Sequence, residues 1–208
     1  SYAACGIPYW VAGLVAERSR LVARRAEEFR SKHAIDVHLG TEAVAIDTAA
    51  RSVRARDLAT GLESDHAYDE LLVATGTVPV LPPVAGLDAA GVMPVRTLDD
   101  GQALLDALAD RAPRRAVVVG GGYIGLEMAE ALRIRGLHVV LVDLAPQPMT
   151  TLEPELGARV ADALRADGVD VRLGTPLTGV EVGADGWVRA VATPDGAIDA
   201  DLVVLGTG

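Results

Sequence analysis

The sequence is poor in cysteine, in aromatic residues and in lysine. Its 208 residues include a single cysteine, so no internal disulfide can form, and a lone thiol suits a reducing compartment. We therefore expect a cytoplasmic protein. The four histidines are scattered and form no cluster with cysteine or acidic residues, so we expect no metal site.

Positive charge and long apolar runs are also scarce. The formal net charge is −10 and the isoelectric point is about 4.8, and the basic residues form no cluster. This balance argues against binding to nucleic acids or anionic membranes. No apolar run approaches the roughly 18 residues that span a membrane. Half of the residues are hydrophobic, however, so the chain can bury the core of one large domain or two smaller ones.

Glycine is abundant, and one glycine-rich segment has a pattern typical of dinucleotide binding. The β-branched run 115–119 predicts a buried strand. The next residues match G-x-G-x-x-G at Gly120, Gly122 and Gly125. Apolar residues at four-residue spacing then predict a helix. The second predicted strand, 138–142, ends at Asp143, which is 18 residues (143 − 125) after the last glycine. This order of elements predicts a Rossmann-type NAD site.

Each part of this pattern has a chemical reason. The first glycine permits a tight turn, the second lets backbone amides approach a pyrophosphate, and the third lets the helix pack closely on the strand. The start of the helix offers free N–H groups and about half a positive charge to the phosphates. Asp143 would accept hydrogen bonds from both hydroxyls of an adenosine ribose. A 2′-phosphate would meet this carboxylate, and residues 144–147 include no lysine or arginine, so NADH is favoured over NADPH.

The sequence contains an internal repeat with an offset of 134 residues (169 − 35). Segment 35–41 matches segment 169–175, and each is followed by a predicted antiparallel excursion. Each copy then ends in an apolar strand that begins with an acid, 69–76 in the first and 201–208 in the second. A helix over 20–33 is expected to precede the first copy. Long matched periods of this kind indicate duplicated units.

We therefore expect two Rossmann-like α/β nucleotide-binding domains, each with three layers that include a parallel sheet and an antiparallel β-meander. The second copy carries the glycine loop, whereas the same offset places the loop of the first copy before residue 1. The first copy is thus expected to be truncated. We place it at residues 1–82 and the NAD-binding domain, with a short linker at its start, at 83–208. The proline-rich stretch 78–84 is the expected connection.

The single cysteine, Cys5, lies shortly before Pro8, and proline is favoured in the first turn of a helix. A thiol at the start of a helix is stabilised as the thiolate, which is the nucleophilic form. Position alone supports equally well a small buried hydrophobic residue, because free cysteines are often buried.

Three motifs in order make the sequence similar to a known family. Ser-x-x-x-Cys-Gly-x-Pro-Tyr at the start is followed by Ala-Thr-Gly at 74–76 and by Gly-Gly-Gly-Tyr-Ile-Gly-Leu-Glu at 120–127. Over its whole length the chain resembles the flavin-dependent pyridine nucleotide-disulfide oxidoreductases. More narrowly, it resembles their single-cysteine branch, which includes coenzyme A-disulfide reductases, NADH oxidases, NADH peroxidases and persulfide reductases.

Details around the cysteine place the resemblance within that branch. In the two-cysteine branch the partner thiol lies five residues on, where this chain has Trp10. The pair Pro8-Tyr9 after Cys-Gly resembles the corresponding positions of the coenzyme A-disulfide and persulfide reductases. Ala4, in contrast, departs from the asparagine that is common there in coenzyme A-disulfide reductases, which puts one substrate contact in doubt.

The resemblance implies FAD and NAD(H) as cofactors, with Cys5 as the redox thiol beside the flavin. Residues 1–82 then form a partial FAD-binding domain, and the full-length protein is a homodimer. Without the first glycine loop, the isolated chain is expected to retain FAD poorly. The residues that match FAD contacts are Ala43, Ala74, Thr75 and Gly76. Those that match NAD contacts are Gly120, Gly121, Gly122, Tyr123, Ile124, Gly125, Glu127, Asp143, Gly206 and Gly208.

Some of these positions have roles implied by the family. Tyr123 is expected to shield the flavin until NADH enters, and Glu127 to lie near the nicotinamide amide. Ser1 and Lys32 match positions near the substrate, although an ordinary turn serine and a surface charge are the open alternatives.

Three functions remain open at this point. Since there is no second protein thiol, oxidised Cys5 must be a mixed disulfide with a small thiol or a sulfenic acid. A disulfide substrate gives the first, as in a coenzyme A-disulfide reductase that uses NADH, and this is the leading hypothesis. Oxygen or peroxide gives the second, as in an NADH oxidase or peroxidase. In a ferredoxin reductase-like protein, electrons pass to a protein partner and Cys5 has no role. The isolated chain could also be an inactive NAD-binding fragment.

Overall fold

The structure is a computed structural model that describes residues 1–78 and 81–207. Residues 79 and 80, within the expected proline-rich connection, and Gly208 lie outside the described residues. The helices are α1 (Ile7–Ala12), α2 (Ala26–His33), α3 (Leu98–Arg111), α4 (Tyr123–Ile134) and α5 (Pro154–Ala166). The strands are β1 (Thr41–Asp47), β2 (Ser52–Asp57), β3 (Glu63–Ala67), β4 (Val92–Pro94), β5 (Arg115–Val119), β6 (His138–Val142), β7 (Asp170–Arg172), β8 (Gly179–Val182), β9 (Val188–Thr193), β10 (Gly196–Asp199) and β11 (Leu202–Leu205).

The chain divides into two compact units. The first consists of residue 1 and residues 23–77, and the second of residues 2–22 together with the described residues from 78 onward. The segment that carries Cys5 therefore packs with the glycine-loop unit. The domain boundaries at 1–82 and 83–208 stay a prediction about the whole protein.

The first unit contains α2 and an antiparallel meander in the order β1-β2-β3. The meander confirms the antiparallel excursion that the sequence predicts. Two ion pairs join its second and third strands, Arg54 to Asp65 at 3.0 Å and Arg56 to Glu63 at 2.8 Å. Among the hydrophobic residues described in this unit, Ala55 alone is buried.

Two predictions for the first unit are wrong. Segment 69–76 is not a strand, and Leu72 in it is 87% exposed, because the described part of this unit offers no parallel sheet with which it could pair. The helix predicted over 20–33 begins only at Ala26. The backbone amides of Ala23 and Arg24 bond instead to the Ser1 carbonyl at 3.1 and 3.2 Å, which holds that stretch out of the helix.

The second unit has three layers, as predicted for the NAD-binding domain. A parallel sheet in the order β4-β11-β5-β6-β7 is the middle layer. The antiparallel meander β10-β9-β8 covers one face, and α1, α3 and α4 pack on the other. Because successive side chains of a strand point to opposite faces, Val117 contacts the meander whereas Val118 contacts the helices. Both side chains are fully buried, and this explains the apolar run in the sequence.

No helix in the described parts of the chain is long and apolar enough to cross a membrane.

Candidate functional site

The glycine loop connects β5 to α4 at the carboxyl edge of the parallel sheet. Gly120 has φ +103°, which favours glycine, and its N–H donates to the Val142 carbonyl at 2.8 Å. A Cβ on Gly125 would lie 1.8 Å from the Gly120 carbonyl oxygen. Gly206 approaches from the end of β11, since a Cβ there would lie 2.9 Å from the Gly125 Cα. The first and third glycines of the motif and Gly206 thus let three backbone segments meet.

The second motif glycine has a different environment. Apart from Gly122 itself and its two neighbours in the chain, no described residue has an atom within 4 Å of the place where a Cβ would stand on Gly122, and this residue is exposed. Gly122 precedes the first residue of α4 and no side chain caps that helix. The first amides of α4 therefore have no side-chain cap among the described residues, and uncapped amides at the start of a helix can bind a phosphate.

Asp143 lies next to this loop, at the end of β6. One carboxylate oxygen accepts a short hydrogen bond from the Gly121 amide, and the other accepts from the Ala145 amide at 2.7 Å. The Gly121 carbonyl in turn accepts from the Met149 amide at 2.9 Å. The carboxylate is therefore fixed beside the loop by backbone donors, and it is half-buried. The ribose contact expected of Asp143 from the sequence stays a prediction.

Cys5 is exposed and lies in a single 3₁₀ turn, Ala4–Gly6, directly before α1. Pro8 is in the first turn of α1, as predicted. The thiol lines a cavity of about 300 Å³ together with Tyr123, Ile124 and Glu127 from the first turns of α4. The alternative of a small buried hydrophobic residue is therefore wrong, and the structure brings the cysteine and the predicted nicotinamide-side residues to one place.

Two side chains of this cavity differ in their contact with solvent. Tyr123 lines the cavity and is 68% exposed to solvent. Glu127 is half-buried, and this burial raises the pKa of its carboxyl, with a smaller contribution from the nearby Glu130. A carboxyl with a raised pKa holds a proton more readily, which suits a group that orients a neutral amide by hydrogen bonding.

The cavity includes two residues that the sequence analysis missed, Val95 and Arg96. They follow β4, a strand of three residues that has no clear pattern in the sequence. The Arg96 amide donates to a carboxylate oxygen of Asp100 at 2.9 Å, and the Thr97 amide donates to the same oxygen at 2.7 Å, which ties this corner to the start of α3. The signal that could have found them is the general rule that ligand-contacting residues gather at the carboxyl edge of a parallel sheet.

Among the residues that the structure describes, the remaining predicted site residues lie in the first unit, apart from Gly206, which bounds the glycine loop. Ala43, Ala74, Thr75 and Gly76 are all exposed. Ser1 is exposed, and its amino group donates to the Arg24 carbonyl at 2.7 Å. Lys32 forms an exposed ion pair with Glu28 at 3.0 Å, one turn earlier in α2. Gly208 lies outside the described residues.

A sequence profile of the family described as pyridine nucleotide-disulphide oxidoreductase matches residues 1–208. An NADH oxidase from Methanocaldococcus jannaschii is 34% identical over 209 residues, an alignment that covers 100% of this chain and 46% of the relative. The chain thus spans about half the length of this curated relative.

Solved structures agree with the profile. An NAD-dependent persulfide reductase from A. fulgidus superposes with a TM-score of 0.93 at 32% identity, covering 100% of this chain and 38% of that one. A water-forming NADH oxidase from Lactobacillus brevis, bound to NADH, gives a TM-score of 0.90 at 27% identity, covering 100% of this chain and 45% of that one. The predicted Rossmann-like fold is confirmed. The chain belongs to the pyridine nucleotide-disulphide oxidoreductase family, as the resemblance of its motifs predicts.

Proposed function

We propose that this chain supplies the NADH site and the redox thiol of a flavin-dependent oxidoreductase that reduces a small disulfide of the coenzyme A type. The observation that carries the proposal is the shared cavity, in which an exposed thiol faces the first turns of the helix that follows the glycine loop. A thiol buried in the core, or one far from that loop, would not support it.

The residues around the glycine loop fit a dinucleotide. The open space at Gly122 and the uncapped start of α4 favour binding of the pyrophosphate. The fixed carboxylate of Asp143 accepts from ribose hydroxyls and repels a 2′-phosphate, so NADH is preferred to NADPH. Glu127 and Tyr123 line the cavity on the side of Cys5, where they can orient the nicotinamide and exclude water.

FAD, when bound, supplies the two-electron connection between NADH and the thiol. The residues expected to hold it, Ala43, Ala74, Thr75 and Gly76, are small and exposed, so a cofactor can approach their backbone. The wall of the cavity beside Cys5 is largely apolar, with Ile7, Pro8, Val95 and Ile124, which suits the edge of a flat aromatic ring.

The proposed thiol chemistry uses Cys5 alone, the one cysteine of these 208 residues. The Cys5 thiolate attacks one sulfur of the substrate disulfide, forms a mixed disulfide and releases the first small thiolate. Two electrons derived from NADH then cleave the mixed disulfide, which restores the Cys5 thiolate and releases the second small thiol after protonation. The sum is NADH, one proton and one disulfide converted to NAD⁺ and two thiols.

Replacing the nucleophile tests the proposal. In the whole protein, Cys5→Ser should abolish NADH-dependent reduction of coenzyme A disulfide and leave NADH binding intact. The control Ala3→Ser places the same hydroxyl at another exposed position just before the turn that carries the cysteine, and it should retain turnover. Turnover that survives in Cys5→Ser would exclude the thiol mechanism and favour electron transfer to a protein partner.

A second candidate is an NADH oxidase or peroxidase, in which oxygen or peroxide oxidises Cys5 to a sulfenic acid. The similarity to the NADH oxidase of M. jannaschii favours it. Steady-state NADH oxidation measured with coenzyme A disulfide, elemental sulfur, peroxide and oxygen in parallel separates the two candidates. Trapping of oxidised Cys5 with dimedone, which reacts with a sulfenic acid and not with a mixed disulfide, gives an independent result.

A further inference from the structure

We propose that Arg135 is a positioning residue. It fixes the position of α1 relative to the axis of α4, and this sets the place of the Cys5 sulfur in the cavity that the thiol shares with Tyr123 and Glu127. The proposal rests on the proposed function, because it concerns how the thiol is held beside the nicotinamide site. It adds a role for a residue that lies at the opposite end of α4 from the glycine loop.

The two helices lie side by side with their first residues at the same end. Near that end, Cys5 and Pro8 share a cavity with Tyr123 and Glu127. Further along, Ala12 and Leu14 share a groove with Ala131 and Ile134. The helices are therefore parallel, and the thiol is carried at the end where α4 receives the glycine loop.

Most of the contact between α1 and its neighbours is apolar. Ile7 and Val11 are fully buried in the same core cluster as Met128 and Leu132 of α4. On the other side, a Cβ on Gly101 of α3 would lie 2.9 Å from the Ile7 side chain. Such packing holds α1 in the layer, but dispersion contacts are not directional and define the position along the helix axis only weakly.

One polar contact is directional. Arg135, directly after α4, donates from Nε to the Val11 carbonyl at 2.5 Å. Its guanidinium also covers Gly13, where a Cβ would lie 3.5 Å from the arginine Cζ, and Gly13 ends α1 with φ +84°. Among the described residues this is the only side-chain hydrogen bond between the two helices and the residues that end them. It satisfies a carbonyl at the end of α1 that has no partner within the helix.

The same region of α4 provides a matched control. Arg133 also donates to backbone carbonyls, from Nε to Asp167 at 3.0 Å and from Nη1 to Leu137 at 2.9 Å. These bonds tie α4 to the end of α5 and to its own following turn. Loss of Arg133 therefore removes interactions of the same kind without touching the helix that carries the thiol.

A cross-linking experiment measures the place of the thiol without turnover or flavin. Because Cys5 is the only cysteine in these 208 residues, Glu127→Cys in this chain creates a single pair of thiols across the cavity. A short bifunctional maleimide should join the two thiols rapidly, and mass spectrometry follows the product. In this background, Arg135→Met should slow closure of the cross-link about tenfold, since an intramolecular step depends steeply on geometry. Arg133→Met should leave it within about twofold, even if both variants lose similar thermal stability.

Conservative variants keep the test decisive. Arg135→Lys retains a hydrogen-bond donor group and should restore part of the rate of cross-link closure. If a methionine variant does not fold, Arg135→Lys is compared with Arg133→Lys instead. Equal closure rates in the Arg135 and Arg133 variants would overturn the proposal. Since the readout uses no disulfide substrate, a failure here leaves the Cys5→Ser result unaffected, and the reverse also holds.

Discussion

The glycine loop allows fold stability and cofactor binding to be tested separately, because its second and third motif glycines have opposite surroundings. A Cβ on Gly125 would lie 1.8 Å from the Gly120 carbonyl oxygen, and Cβ contacts below 3.0 Å essentially do not occur. The helix would have to move by at least 1.2 Å (3.0 − 1.8). Such a shift moves Met128 and Leu132, which are fully buried on the same face of α4, away from their packing partners.

The expected loss of stability in Gly125→Ala follows from this overlap. Overpacking of a closed core costs about 1–3 kcal/mol, and each kcal/mol lowers the melting temperature of a domain of this size by about 2–4 °C. We therefore expect a decrease of about 2–12 °C in the melting temperature measured by differential scanning fluorimetry. NADH binding is expected to weaken as well, because the start of α4 is displaced.

Gly122→Ala is the matched variant, and it should give the opposite result. Gly122 has φ −78°, which alanine adopts without strain, and its Cβ would project into open space. The melting temperature should change by no more than about 2 °C, whereas the methyl group stands where a pyrophosphate must approach. We expect the Kd for NADH, from fluorescence titration, to rise at least about tenfold, or 1.4 kcal/mol. A Gly125→Ala variant with the melting temperature of the parent protein, or a Gly122→Ala variant with an unchanged Kd for NADH, would refute these roles of the two glycines.

Three carboxylates give further predictions. The Arg115 guanidinium holds the pKa of Asp201 below its usual range, so the stability gained is present at neutral pH and lost as the pH falls below about 4. In urea denaturation, the free energy of unfolding of Asp201→Asn should thus be about 1 kcal/mol lower than that of the parent protein at pH 7 and equal to it at acidic pH. Burial raises the pKa of Glu127, so the free energy of unfolding falls as the pH rises through the pKa of the folded state. Glu127→Gln should therefore have a higher melting temperature than the parent protein at pH 8 but not at pH 4. Asp143→Ala combined with Leu144→Arg removes the repulsion of a 2′-phosphate and adds a cation, so titrations should show the preference for NADH over NADPH reduced at least about tenfold.

The segment from 115 to 143 could be predicted closely because its information is local. The apolar run 115–119 coincides with β5, and 138–142 coincides with β6. Both strands are buried on both faces, so their composition alone marks them. The motif glycines were found for a similar reason, since each is required by a close backbone approach or an open approach path between neighbouring elements.

Segments 35–40 and 69–76 show where local information fails. Both resemble parts of the second copy that form β7 and β11, yet neither is a strand in the described structure. A parallel strand exists only where a neighbouring strand accepts and donates its hydrogen bonds. The apolar residues of 69–76 are a strand pattern without a partner, and a sequence pattern does not report whether a partner is present.

The position of Cys5 depends partly on local sequence information and partly on contacts that local information does not report. Helix α1 has six residues, too few to be stable alone in water, so it forms because it packs on α3 and α4. Its buried residues Ile7, Trp10 and Val11 stand at the i, i+3 and i+4 positions that define one helix face, and this spacing was visible in the sequence. That stripe leaves Tyr9 on the exposed side and the preceding turn, with Cys5, outside the core. The exposure of the thiol could therefore have been deduced from the residues that follow it. Its meeting with Glu127, 122 residues later (127 − 5), could not, because it depends on which helix covers the stripe.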